Sequence, residues 1–186
     1  MAPGAYRLGM RQIVLLRGVN VGSRNRVAMP ALRELLTGAG FQDVRTYVQS
    51  GNVVLSSDTS PERLARECER LIADGFGLEI DVVVRARDEL AEVVRRDPLG
   101  DVATDPKRYQ VSFLSAEPEP ATVRELEALA AESERLVAIG RELYAWHPEG
   151  MGRSRLWARL AGRDLGVTAT SRNWTTVRKL LEMADE

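Results

Sequence analysis

The sequence contains one cysteine, Cys68, and one histidine, His147, among 186 residues. A single cysteine cannot form an internal disulfide, and no cluster of histidine and cysteine has the spacing of a zinc site. Cys68 lies in the predicted helix segment ARECERL, where a buried thiol is the favoured interpretation. His147 stands at the end of a predicted strand, where a structural or surface role is favoured over catalysis. These shortages disfavour redox, metal-dependent and histidine-dependent nucleophilic chemistry, and we expect no metal and no cofactor.

Long apolar runs are also missing. No stretch approaches the roughly 18 consecutive apolar residues of a membrane-spanning helix, so we expect no membrane partner. The opening MAPGAYRLGM has neither a long apolar segment nor a cleavage-like site. We therefore expect a loose, disordered extension over residues 1–10, no signal peptide, and a cytoplasmic protein.

Lysine is scarce, and the arginines that replace it are unevenly distributed. Residues 1–33 contain six arginines and no acid, and residues 150–180 contain six arginines and Lys179 against one acid, Asp164. Residues 34–149 carry 13 basic and 23 acidic side chains, and residues 181–186 add three acids, so that the formal net charge of the whole chain is −1. Segregated charge can create a local positive field in a nearly neutral protein. The alternative is that the basic ends form ion pairs with the acidic middle.

The pattern over residues 11–85 predicts the element order βαββαβ. Four short runs rich in β-forming residues predict strands, namely RQIVLLR, FQDVRTYVQ, NVVLSS and LEIDVVVR. Two segments with helical periodicity, MPALRELLTGAG and SPERLARECERLIADGFG, have a proline in the first turn and a glycine at the end. Two helices on one face of an antiparallel sheet form a ferredoxin-like motif. We therefore expect an α+β protein whose first unit is ferredoxin-like.

The pattern over residues 86–186 predicts a second α+β unit, which begins like the first unit and ends differently. A helix over RDELAEVVRR is followed by a strand, a helix and a hairpin around Gly140 and Arg141. This order repeats the opening β, α, β, β of the first unit. Its ending differs, since the chain then runs to a last helix, RNWTTVRKLLEMA, and we expect extra C-terminal helices in place of α then β. No low-complexity linker separates the halves, so the two units should pack intimately.

Two standard nucleotide-binding patterns do not fit. The loop RGVNVGSRN matches neither GxxxxGK[ST] nor GxGxxG. RNA-recognition modules share the βαββαβ order but stack bases on aromatic side chains of their two central strands. The first and third predicted strands here have none, and Tyr47 lies on the second, edge strand. A standard RNA-recognition module is therefore disfavoured.

The βαββαβ topology nevertheless predicts a polar patch. The end of the first strand and the turn between the second and third strands lie at the same end of such a sheet. The loop RGVNVGSRNR and the turn QSGN should therefore be neighbours in space. Together they bring eight polar side chains into one region, namely Arg17, Asn20, Ser23, Arg24, Asn25, Gln49, Ser50 and Asn52.

The segment TSRNW (170–174) supplies a second candidate element. We expect Ser171 to cap the last helix, which would place Arg172, Asn173 and Trp174 in its first turn, where free N–H groups and the helix dipole favour an anion. Arginine binds carboxylate or phosphate through two parallel hydrogen bonds. Alternative roles are open for several of these residues. Trp174 could anchor the helix instead of stacking on a base, and the amides of Asn20 and Asn52 could bond to backbone in turns.

The segment LLRGVNVGSRNRVAMPALRELLTGAGFQDVRTYVQSGNVVLSS resembles the start of the family catalogued as domain of unknown function 1697. The later segments GRSRL and TSRNWTTVRKLL resemble that family's closing motifs, so the similarity extends over nearly the whole chain from about residue 11. Ser23 stands where a second glycine is expected, which disfavours a glycine-dependent phosphate loop. The resemblance implies a duplicated α+β fold with ferredoxin-like character and implies no activity.

Two functions fit an arginine- and amide-rich patch. The first is binding of an anionic, phosphate-bearing ligand, either a nucleotide or nucleic acid, through ten candidate residues: Arg17, Asn20, Ser23, Arg24, Asn25, Ser50, Asn52, Arg172, Asn173 and Trp174. The second is an enzyme in which Ser23, Ser50 or Ser154 acts on such a ligand. The sequence places no general base beside these serines, which favours binding. A protein–protein module with arginine anchors is a third possibility.

Overall fold

The structure, a computed structural model, describes residues 9–186. The extension expected over residues 1–10 lies for the most part outside these residues, and Met10 already belongs to the first strand. The first unit consists of β1 (Met10–Leu16), α1 (Met29–Gly38), β2 (Gln42–Tyr47), β3 (Asn52–Ser57), α2 (Pro61–Phe76) and β4 (Val82–Ala86). The second consists of α3 (Arg87–Arg96), β5 (Tyr109–Leu114), α4 (Pro120–Leu129), β6 (Arg135–Ile139), β7 (Glu142–Trp146), α5 (Arg155–Leu160), β8 (Ala169–Asn173) and α6 (Trp174–Asp185).

The two sheets have the same topology. The first is ordered β2-β3-β1-β4 and the second β6-β7-β5-β8, with antiparallel pairing throughout. The expected α+β fold with two ferredoxin-like units is thereby confirmed. The second unit does carry an additional C-terminal helix, α6, but the expectation that it lacks the closing α then β is wrong, because α5 and β8 complete its βαββαβ order. Strand β8, with the polar sequence ATSRN, has little intrinsic β-propensity and is held by its pairing with β5.

Local signals determine the helix ends that the sequence predicts well. Ser60 caps α2 by accepting a hydrogen bond from the N–H of Arg63, Pro61 occupies the first helical position, and Gly77 ends the helix in the left-handed conformation. The apolar face of α2 buries Leu64, Cys68 and Ile72 against the first sheet. Cys68 is fully buried as expected, and burial raises the pKa of its thiol to about 12.

Apolar side chains form three clusters that define the layers. The outer face of the first sheet packs on α1 and α2, and the outer face of the second packs on α4 and α5. The inner faces of both sheets contribute to one shared cluster with α3 and α6, which includes Ile13, Val54, Phe113, Tyr144 and Val177. The two units therefore share a core. No helix within residues 9–186 has both the length and the apolar character needed to span a bilayer.

The turn between β2 and β3 lies against the end of β1. The N–H of Leu16 donates to the carbonyl of Gly51 at 2.9 Å, and Leu15 pairs with Asn52. Gly51 has a φ of +79°, and a Cβ atom there would lie 2.7 Å from side-chain atoms of both Leu16 and Val19. Only glycine fits this position, and the close approach brings the loop after β1 next to the hairpin turn, as the topology predicts.

Replacement of Gly51 by alanine should destabilise the protein far more than replacement of Gly140, which occupies the matching turn of the second unit. Gly140 also has a positive φ, +58°, but apart from its chain neighbours no atom of the described residues lies within 4 Å of its hypothetical Cβ. We expect roughly 1–2 kcal/mol of lost unfolding free energy for Gly140→Ala from backbone strain alone. Crowding should raise the loss to roughly 3 kcal/mol or more for Gly51→Ala. Urea unfolding of both variants measures the difference, and equal losses would contradict the crowding argument.

Candidate functional site

A cleft of about 730 Å³ lies between the two units at the end of the first sheet where β1 meets the hairpin turn. We call it the inter-unit cleft. Among residues 9–186, four arginines and no carboxylate line this cleft. Six of the ten residues predicted from the sequence line it, namely Arg17, Arg24, Asn25, Ser50, Arg172 and Asn173. The other four, Asn20, Ser23, Asn52 and Trp174, do not.

The loop that forms one wall of the cleft is shaped by Asn20. This residue has a φ of +56°, a conformation that asparagine tolerates better than most side chains. Its amide group donates to the carbonyls of Val27 and Gln49 at 2.8 and 2.6 Å, and its Oδ1 accepts from the N–H of Val27 at 2.9 Å. Asn20 therefore has the structural turn role and ties the loop to the hairpin. Ser23 and Arg24 are exposed at the loop tip.

Arg172 connects the two units through a saturated set of hydrogen bonds. Its Nε–H donates to Oδ1 of Asn52. The two Nη groups donate to five further oxygens, which belong to Thr170, Ser171, Leu16, Ser50 and Gly51. The side chain is buried and has no carboxylate within ion-pair distance among residues 9–186, and burial lowers its pKa to about 10. All five N–H donors of the guanidinium are used, so Arg172 contributes charge to the cleft but no free donor.

Asn52 completes this junction. Its amide nitrogen donates to the carbonyl of Tyr47 at 3.1 Å and to Oγ of Ser50 at 2.9 Å, while its oxygen accepts from Arg172. The residue is fully buried. Asn52 therefore closes the hairpin turn and orients Arg172, as its turn role predicts.

A second arginine makes the reciprocal connection. Arg85 is the fourth of the five residues of β4, as Arg172 is of β8. Arg85 donates to the carbonyls of Leu114, at the end of β5, and Arg141, in the β6–β7 turn, at 2.7 and 3.2 Å. Arg172 contacts the structurally equivalent positions of the first unit, namely the end of β1 and the β2–β3 turn. Each unit thus clamps the other with an arginine from its last strand.

The two clamps differ in charge compensation. Around Arg85, Glu142 lies 3.7 Å away, and Arg141 in turn pairs with Glu62 at 3.5 Å and Glu89 at 2.7 Å. A smaller cavity of about 220 Å³ beside this clamp is lined by acidic as well as basic side chains. Positive charge is thus balanced at one clamp and is not balanced at Arg172.

Arg17 also has a structural contact. Its Nη2 donates to the carbonyl of Gly162 at 2.7 Å and of Ala161 at 3.3 Å, at the C-terminal end of α5, where a cation interacts favourably with the helix dipole. Burial, followed by repulsion from Arg163, lowers its pKa, while Asp81 acts in the opposite direction. Asp81 lies 4.0 Å from Arg17 and 3.8 Å from Arg163 and is the one carboxylate of residues 9–186 in ion-pair range of the cleft arginines.

The expected role of Ser171 as a helix cap is wrong. Arg172 and Asn173 belong to β8, and Asn173 caps α6 by accepting from the N–H of Thr176 at 2.9 Å. The hydroxyl of Ser171 instead bonds to Ser112 across the β5–β8 pair at 2.6 Å. The positive end of α6 still faces the cleft, because Asn173 and Thr176 line it.

Trp174 is a core anchor and not a cleft residue. Its ring stacks on Tyr109 with centroids 4.6 Å apart, and only 7% of its surface is exposed. Several residues that line the cleft were not predicted from the sequence, among them Trp157 and Arg163. Trp157 on α5 is partly exposed and Arg163 is exposed. The basic composition of residues 150–180 pointed to this segment, but only the completed fold shows which of its side chains face the loop.

The expectation that no general base lies beside the candidate serines is wrong for Ser154. Its Oγ donates to Oε2 of Glu134 at 2.6 Å and lies 3.4 Å from Nδ1 of His147, which also bonds to Glu134. The same Oγ accepts from the N–H of Trp157 at 3.0 Å and caps α5. His147 is fully buried, so its expected structural role fits. The hydroxyl is engaged as donor and acceptor and does not line the inter-unit cleft, which favours a structural network over a nucleophile.

Two comparisons place the chain among known proteins. Residues 10–144 match the profile of a family described as "Protein of unknown function (DUF1697)". The chain is similar in structure to the conserved bacterial protein SP0830 from Streptococcus pneumoniae, with a TM-score of 0.75, 23% sequence identity, and coverage of 94% of this chain and 98% of that one. At this identity the similarity supports the fold alone. No curated protein matches the chain.

Replacement of Arg172 by methionine should destabilise the protein strongly without any ligand. The variant leaves buried oxygens of Asn52 and of the β1 end and hairpin turn without donors, and each unsatisfied group costs about 1–3 kcal/mol. We expect a total loss of roughly 3 kcal/mol or more in urea unfolding. Arg178, which is exposed on α6, provides the matched control, and Arg178→Met should unfold near wild type. A stable Arg172→Met protein would show that the clamp does not hold the units together.

Glu134 should make stability depend on acidity. Burial acts to raise the pKa of this carboxyl, but hydrogen bonds from Ser154, from the N–H of Ala131 and from His147 outweigh it, and the pKa is lowered. Because the pKa is lower in the folded protein, the ionised carboxylate stabilises the fold fully at pH values above the pKa of glutamate in the unfolded chain, about 4.3. This stabilisation is lost as the pH falls below that value and through the lowered folded pKa. The gap in unfolding free energy between wild type and Glu134→Gln should therefore shrink as the pH falls below about 4.3. The exposed Glu132→Gln is the control, and a pH-independent gap would refute this assignment.

Proposed function

Because the chain belongs to the DUF1697 family, whose description assigns no activity, we propose a function from its own inter-unit cleft: the protein binds an anionic, phosphate-bearing ligand there. The observation that carries the proposal is that, within the described part of the chain, four arginines and no carboxylate line this cleft. Its volume, about 730 Å³, falls within the usual range of small-molecule sites.

The comparison between the two clamps supports this proposal. The packing of the two units accounts for an arginine at each of the two equivalent positions. It does not account for the lack of carboxylates around one of these arginines. Around Arg85 the fold supplies carboxylates, whereas around Arg172 it supplies neutral oxygens and three further arginines. Clustered like charges lower stability, and a buried charge without a partner is costly. A bound anion would relieve both costs at the second clamp.

The donors that remain free define how such a ligand would be held. Arg24 is exposed and forms no hydrogen bond or ion pair with a side chain of residues 9–186, and Arg163 pairs only with Asp81, at 3.8 Å. Arg17 and Arg172 would act as fixed charges deeper in the cleft. The N-terminal end of α6 adds a positive dipole at Asn173 and Thr176. Donors on several sides suit the several oxygens of a phosphate better than the two of a single carboxylate.

The proposal predicts a selective loss of binding on removal of the two free arginines. The double variant Arg24→Ala/Arg163→Ala should bind inorganic pyrophosphate about tenfold or more weakly in calorimetry, since a charged hydrogen bond contributes about 1.5–3 kcal/mol. Its melting temperature without ligand should be close to that of wild type, because both side chains are exposed. Arg26→Ala is the matched control, since Arg26 is an exposed arginine of the same loop that does not line the cleft.

Nucleic acid is tested in parallel. If single-stranded RNA occupies the cleft, the logarithm of its affinity should fall with the logarithm of salt concentration, and each arginine removed should reduce the slope by about one. Failure of pyrophosphate, nucleotides and RNA to bind the wild-type protein at about 50 mM salt would end the proposal. So would an equal loss of affinity in the Arg26→Ala control.

A further inference from the structure

Trp157 differs from the other tryptophans in its surroundings. Trp146 and Trp174 are each only 7% exposed and belong to the shared core. Trp157 is partly exposed and lines the inter-unit cleft. Large aromatic rings bury most of their surface where packing alone decides their position. A ring left partly open beside four arginines is therefore surface that a ligand can cover.

The ring is also held in a fixed position. The backbone N–H of Trp157 donates to Oγ of Ser154, and the indole packs edge-on against the imidazole of His147, with centroids 5.8 Å apart and an interplanar angle of 75°. His147 and Ser154 are both bonded to Glu134. This network orders the indole before any ligand arrives, so that covering the ring has little additional entropic cost.

Apolar side chains accompany the ring in the cleft. Val21, on the opposite loop, is 70% exposed, whereas Val19 and Leu160 line the cleft but are each only 2% exposed. A bare phosphate would use only the arginines and leave the exposed surface of Trp157 and Val21 in water. A ligand with a planar apolar part and an anionic part would use both.

We propose that the ligand of the inter-unit cleft is a free nucleoside phosphate whose base stacks on Trp157 while its phosphate lies among the arginines. This inference rests on the anion site proposed above. Single-stranded nucleic acid is disfavoured, because its binding uses a series of aromatic side chains along a continuous basic groove. Among the described residues the cleft offers one partly exposed ring, and the reciprocal cavity beside Arg85 is lined in part by Glu62 and Glu69, which would repel a nucleic-acid backbone.

The test compares two probes that share a phosphate and differ in the base. Adenosine monophosphate should bind wild type about tenfold or more tightly than ribose 5-phosphate, since stacking of one base contributes a factor of this order. Trp157→Leu should abolish that difference by weakening adenosine monophosphate alone, and Trp157→Phe, which keeps a ring, should retain most of it. Because the other two tryptophans are buried, acrylamide quenching in wild type reports mainly on Trp157, and adenosine monophosphate should protect it.

The outcomes separate this inference from the proposed function. Equal affinity for the two probes, or undiminished quenching with adenosine monophosphate bound, overturns base stacking and leaves the anion site standing. Binding of neither probe nor of pyrophosphate overturns the anion site itself. An RNA oligonucleotide that binds far more tightly than the mononucleotide, with a salt slope of several units, overturns the assignment of a free nucleotide. If Trp157→Leu fails to fold, the quenching measured on wild type and the affinities of the Trp157→Phe variant still show whether the base stacks on Trp157.

Discussion

A buried guanidinium with no carboxylate partner among residues 9–186 joins the two halves of this protein. Arg172 satisfies its donors with the last carbonyl of β1, the β2–β3 turn and the amide of Asn52. The loop wall, the hairpin turn and the last strand keep their relative positions through this group. Neutral oxygens satisfy its hydrogen bonds but leave its charge unbalanced. The same side chain is therefore both a structural clamp and the source of a positive potential at the inter-unit cleft.

Duplication provides the reference against which this charge can be judged. Arg85 and Arg172 occupy equivalent strand positions and contact equivalent points of the opposite unit, so both are explained by packing of the units. Packing does not explain why carboxylates surround the first and not the second. A cluster of arginines without neighbouring carboxylates lowers stability, and features that lower stability are expected at functional sites.

Most of the fold follows from local patterns, and most of the site does not. Capping by Ser60, the proline and glycine signals of α2 and the apolar strands are local, so the first unit could be predicted from the sequence. Strand β8 could not, because ATSRN is polar and forms a strand only through its pairing with β5. The neighbouring positions of the loop and the hairpin turn followed from topology. The buried state of Arg172, the anchor role of Trp174 and the exposure of Trp157 depend on long-range packing, which no local window contains.

The shared core also has a consequence for synthesis on the ribosome. The inner face of the first sheet, with Ile13 and Val54, is covered by α3 and α6, and α6 spans residues 174–185. The first unit can pair its strands once β4 has emerged from the exit tunnel, yet part of its inner face remains in water while roughly 90 further residues are translated, at about 5–20 residues per second. The nascent chain thus exposes an apolar sheet face for several seconds, and α6 closes it last.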